Sequence, residues 1–130
     1  MDLDNSIKPG LKSEQNFTVL EEHSAAHIGS GTVSVLSTPS MIGFMEITAR
    51  SMLDEVLPDT HSTVGVRVDV RHLAASPIGS EVKTCAEVLN VHGNRVTLSI
   101  EAWYGDTQIG AGQHDRFIIE KERFMRRVAG

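Results

Sequence analysis

Apolar residues recur along the middle of the chain in two periods, and the change from one to the other predicts its main elements. From Met41 to Val56 the repeat is helical. At about 100° per residue, Met41, Met52, Met45, Val56, Ala49, Ile42 and Leu53 fall within roughly 120° of arc, the stripe of a helix laid against a core. The pattern predicts one long helix from Thr38 through Leu57. Thr38 carries the hydroxyl that an N-cap needs, Pro39 suits the first helical position, and Leu57-Pro58-Asp59 stops the helix. From Thr63 to His72 the period is two: Val64, Val66, Val68 and Val70 alternate with Arg67, Asp69 and Arg71. A strand with its valines packed inward is expected, and His72, sharing their parity, points to the side on which the helix lies.

Weaker patterns fill in the remainder. Residues 1–14 read as a lead-in segment, Asn16–Glu22 as a first strand, and Val33–Leu36 as a brief strand or an extended approach to the helix. After a loop at residues 74–79, Glu81–Val91 and Arg95–Trp103 form a hairpin through His92-Gly93-Asn94. Tyr104-Gly105-Asp106-Thr107 turns the chain into a last strand, Gln108–Glu120, and residues 121–130 are a charged surface tail. One helix with a single stripe and a long antiparallel sheet give a two-layer α+β domain, the sheet curled over the helix.

Composition narrows the function. A chain of 130 residues suffices for one domain with a core that needs no disulfide or metal. Cys85 is the single cysteine, and the acidic start Met1-Asp2-Leu3-Asp4 lacks the apolar run of a secretion signal, so a cytoplasmic protein is expected. No apolar run reaches the ~18 residues of a membrane span, and a net charge of -5 argues against a nucleic-acid backbone as partner. A small molecule or another protein remains.

Candidate chemistry sits where the patterns are interrupted. Glu46 falls at the edge of the apolar stripe, either paired with Arg50 one turn on or facing a cleft. His72 closes the valine row on the same side. Gly43 in mid-helix costs about 1 kcal/mol relative to alanine, which suggests close approach by a ligand or partner backbone. In the last strand Gly110, Gly112, His114 and Arg116 share one face, and the glycine pair suggests that something approaches the backbone closely. His23 and His27 have metal-ligand spacing on a helix, but the segment runs into Gly29-Ser30-Gly31 and has no third ligand, so no metal is expected. Cys85 looks outward with nothing to activate it, and Arg126-Arg127 in the tail could meet a phosphate.

This order of elements resembles the hot dog fold, in which an antiparallel sheet wraps a long central helix and two subunits build active sites at their interface. Thr38, Glu46 and His72, set in Thr-x-x-Met-x-Gly-x-Met-Glu and Val-x-His-x-Ala-Ala-x-Pro-x-Gly, are similar to the Thr/Glu/His constellation of the fluoroacetyl-CoA-specific thioesterase family. Ala26-His27 before the glycine-rich loop and Ile109-Gly-x-Gly-x-His114-x-Arg116 extend the likeness over residues 17 to 125. The resemblance implies a thioesterase acting on a small acyl-CoA or acyl-carrier thioester. Its catalytic residues are Thr38, Glu46 and His72, with Gly43, Pro39, Ile42, His114 and Arg116 lining the substrate site. It implies a homodimer or tetramer, and coenzyme A only as part of the substrate, with no other cofactor. The fluoroacetyl-CoA enzyme carries phenylalanines before the helix, whereas Ala25–Ser37 here has no aromatic residue, so its acyl specificity does not carry over. An acyl-CoA-binding protein without turnover and a hydratase on the same fold are the alternatives.

Overall fold

The computed structural model describes residues 7–130. Its elements are β1 (Lys12–Thr18), a 3-10 turn (Glu21–His23), α1 (Ala25–Ile28), α2 (Thr38–Val56), β2 (His61–His72), β3 (Glu81–His92), β4 (Arg95–Tyr104), β5 (Thr107–Glu120) and α3 (Lys121–Ala129). All strands are antiparallel neighbours in one five-stranded sheet of order β1-β3-β4-β5-β2. The long helix α2 lies across that sheet. Met41, Met45, Ala49 and Leu53 are fully covered and meet Val82, Leu98, Ile100, Ile109 and Ile118 from the strands. Burial of this apolar surface is the main stabilising term, at about 25 cal/mol per Å².

The sheet curls far enough to cover more of α2 than the predicted stripe. Phe44 and Thr48 are buried as well, while Ile42 and Val56 are half-exposed. Thr48 is tolerated inside because its hydroxyl donates to the Phe44 carbonyl at 2.9 Å and hydrogen-bonds the Thr84 hydroxyl. The glycine pair in β5 makes this approach possible. A Cβ at Gly110 would come within 2.6 Å of the Met41 sulfur, and one at Gly112 would collide with the Asp69 carbonyl of β2. What comes close is therefore the chain's own helix and neighbouring strand.

Four expectations are corrected. The first strand begins at Lys12, inside the expected lead-in, and its inward positions Ser13, Gln15 and Phe17 alternate too weakly in polarity to show in the sequence; pairing with β3 and stacking of Phe17 on Phe44 (4.5 Å between centroids) define it. Glu21 and Glu22, expected in that strand, belong instead to the turn Glu21–His23. The valine row is broken by a bulge between Gly65 and Arg67, so Val66 and Val68 are 48% and 40% exposed on an edge strand rather than packed inward. Finally, the tail is a helix: Glu120 caps it at the Arg123 amide (3.3 Å), and Phe124 gives it a half-buried contact. Val33–Leu36 is an extended approach making isolated bridges, Ser24 to Leu36 and Val35 to Pro77.

Candidate active site

The start of α2 holds the first group of polar side chains. The N-cap is Ser37, one residue before the expected Thr38: the buried Ser37 hydroxyl accepts from the Ser40 amide at 3.1 Å, and its carbonyl accepts from Met41 at 3.0 Å. Two successive hydroxyl residues made the cap ambiguous in sequence, and burial of Ser37 decides it. Because Ser37 satisfies the helix end, the Thr38 hydroxyl is released to bond elsewhere. It lies 2.8 Å from Nδ1 of His72. His72 does point to the helix side: its β5 partner is Gly110, over which Met41 packs. Its Nε2 is buried without a hydrogen-bond partner among the described residues. Burial holds the imidazole pKa below the ordinary histidine value, with the Ala74 backbone pulling the other way. A neutral imidazole touching a hydroxyl is a base in place to take its proton.

Glu46 lies two turns further along α2, about 12 Å along the axis from Thr38. Its expected partner Arg50 turns away and pairs with Asp54 at 2.9 Å. Glu46 Oε2 instead lies 3.4 Å from Nη1 of Arg116, which is buried in the sheet beneath it. Arg116 Nε donates to the Thr63 hydroxyl at 2.7 Å, Nη2 to the Thr63 carbonyl at 2.9 Å, and Nη1 also meets Nε2 of His114 at 3.0 Å. Burial lowers the guanidinium pKa and Glu46 opposes that shift; the group stays a cation. Directly under the carboxylate is Gly65, where a Cβ would stand 2.7 Å from Glu46 Oε2.

Thr38 and His72 are thus brought together, and Glu46, His114 and Arg116 form a second cluster. No hydrogen bond within the chain joins Glu46 to His72 among the described residues; the Glu46 carboxylate is spoken for by Arg116 of β5, opposite Gly65 near the start of β2. Gly43 is half-buried, a Cβ there would meet nothing within 4 Å, and Ile42 and Pro39 flank it toward the helix start. Gly65, Thr63 and Ser37 were not singled out from the sequence. Gly65 interrupts a β-branched strand, which is the mark of close approach, but the valine pattern masked it.

His27 sits on the one-turn α1, whereas the His23 ring faces the Leu20 amide and the edge of Phe44. No group of three metal-ligating side chains occurs among the described residues. Burial and then the Glu14 carboxylate push the Cys85 thiol pKa up, away from thiolate chemistry.

A curled antiparallel sheet over one long helix, with a hydroxyl–imidazole pair where that helix begins, defines a hot dog fold protein. Among solved structures, the fluoroacetyl-CoA thioesterase FlK superposes with a TM-score of 0.89 at 27% identity, over 95% of this chain and 96% of that one. A hot-dog-like protein from Thermanaerovibrio acidaminovorans gives 0.89 at 26%, over 98% and 95%. A thioesterase superfamily member from Thermus thermophilus gives 0.84 at 28%, over 95% and 93%. In sequence, the fluoroacetyl-CoA thioesterase of Streptantibioticus cattleyicolor is 33% identical over 94 residues, 72% of this chain and 68% of the relative. Residues 19–122 match the profile of the fluoroacetyl-CoA-specific thioesterase family, and the chain belongs to that family. It is a thioester hydrolase.

Proposed function

We propose that the chain hydrolyses small acyl-CoA thioesters at sites shared between two subunits, Thr38 and His72 coming from one and Glu46 from the other. The observation that carries this reading is the 2.8 Å contact between Thr38 and His72, made possible by Ser37 taking over the cap. A solved complex of the relative FlK with fluoroacetate and CoA supports the substrate class.

The β2 edge supports this subunit arrangement. On its outer side β2 has no strand neighbour among the described residues, and Val66 and Val68 are exposed along it. A second copy pairing antiparallel about a two-fold axis near Val68 sets His72 of one strand beside Gly65 of the other, since the two are at opposite ends of the strand. Glu46 lies over Gly65, so the axis brings the carboxylate to the hydroxyl–imidazole pair. Gly43, Ile42 and Pro39 then line the passage for the acyl and pantetheine portions, and coenzyme A enters only as substrate.

In the reaction the C–S bond of the thioester breaks, a C–O bond to the oxygen nucleophile forms, and a proton passes to the leaving sulfur. His72 removes the proton from Thr38, or from a water held between Thr38 and Glu46, and returns it to the thiolate; where Thr38 attacks, the acyl group passes to its oxygen, and a water deprotonated by His72 then cleaves that ester, releasing the acid and returning the proton to Thr38. The carboxylate favours the imidazolium formed in between. The Thr38 amide, at the positive end of α2, donates to the developing oxyanion in this reading.

Mixing two inactive proteins tests both claims. Glu46→Ala and His72→Ala each abolish thiol release from acyl-CoA. Exchanged at equal amounts, they recover about a quarter of wild-type activity, because half the dimers are mixed and each mixed dimer keeps one intact site. No recovery, despite exchange shown by mass-tagged subunits, would place all three groups in one chain and refute the shared site. Full activity in either single variant would refute the catalytic assignment.

A further inference from the structure

We propose that His114 is a positioning residue for the hydrolysis: a neutral strut of fixed tautomer that holds the Arg116 guanidinium and, through it, aims the Glu46 carboxylate. The proposal rests on the reading of Glu46 as a catalytic group.

His114 is completely buried, and both ring nitrogens are engaged. Nδ1 lies 3.0 Å from the Arg67 carbonyl oxygen, which can only accept, so Nδ1 carries the proton. Nε2 lies 3.0 Å from Arg116 Nη1, which can only donate, so Nε2 is the bare acceptor. The ring is therefore neutral, and its tautomer is set from both sides.

Its two partners place it between the bulge and the carboxylate. Arg67 follows the bulge in β2, and Thr63, which holds the other side of the guanidinium, precedes it. Pinned at Nε, Nη2 and one Nη1 hydrogen, the guanidinium has its other Nη1 hydrogen left for Glu46, over Gly65. An apolar side chain of similar size would fill the same space at lower desolvation cost. The imidazole is explained by what its two nitrogens connect.

The test compares His114→Leu with His114→Gln, whose amide oxygen can still accept from Arg116. Expected for leucine is a loss in kcat of about ten- to hundredfold, as for misplacement of a catalytic group by about 1 Å, with KM and inhibition by free CoA within about threefold. Glutamine is expected to recover most of that loss. In wild-type protein labelled with 15N-histidine, the His114 ring is expected as the neutral Nδ1–H form at pH 7. A leucine variant with kcat within threefold of wild type, or a glutamine variant no better than leucine while both melt alike, would overturn the proposal. An Nε2–H or charged ring in the NMR spectrum overturns it even if the leucine variant fails to fold. Glu46→Gln is assayed alongside: full activity there refutes the role of Glu46 itself, whereas an inactive Glu46→Gln with an active His114→Leu refutes only the strut.

Discussion

Adding one methyl group at Gly65 should separate activity from stability. The backbone there is outside the left-handed region, so alanine is free of conformational strain. It would even restrict the unfolded chain, a gain of about 0.4–1 kcal/mol. The new Cβ, however, stands 2.7 Å from Glu46 Oε2, 3.3 Å from His114 Cε1 and 3.4 Å from Arg116 Nη1. The carboxylate is the flexible end of a half-exposed side chain and is the group that yields. Regaining ordinary contact near 3.4 Å moves it by about 0.7 Å and turns it away from Arg116. A displacement near 1 Å in a catalytic group costs up to about a hundredfold in rate. Gly65→Ala is therefore expected to lower kcat/KM for acyl-CoA hydrolysis by about 10- to 100-fold, with Tm within about 3 °C of wild type. Thiol release and thermal denaturation measure the two. A kcat/KM within threefold of wild type would refute the reasoning, since the carboxylate would then have no fixed place to lose. So would a Tm lowered by more than ~10 °C, which would make the backbone the site of the damage.

The cap and the nucleophile site can be told apart at adjacent residues. Ser37→Ala is expected to cost about 1 kcal/mol, or roughly 3–5 °C in Tm, while Thr38→Ala leaves Tm nearly unchanged and removes most activity; the reverse pattern would restore Thr38 as the cap. The pH dependence follows from His72, which burial holds below the ordinary histidine value of 6.5 and which must be neutral to act as a base. In Glu46→Ala protein, where no partner carboxylate opposes burial, the His72 ring titrated by NMR is expected to protonate below pH 6.5, and a midpoint at or above that value would contradict it. Stability follows the same sign. The unfolded chain binds the proton near pH 6.5 and the folded chain only at lower pH, so this contribution is complete above pH 6.5 and lost as the pH falls.

The sequence by itself determined the long helix, its approximate start, the antiparallel strands that follow, and the side of the sheet to which His72 points. These are local properties: a helical or two-residue period, a proline at each end of α2, and Gly93-Asn94 in a hairpin turn where Gly93 takes φ +62°. The resemblance of Thr38, Glu46 and His72 to a known constellation was legible as well. Tertiary structure alone decided which of two neighbouring hydroxyls caps the helix, because that depends on which one the rest of the chain buries. It also decided the bulge at Val66, which turned an even valine row into an edge, and the partner of Glu46, which is Arg116 from 70 residues away rather than Arg50 one turn on. Periodicity registers which face a residue occupies, and it is blind to what the rest of the chain sets against that face.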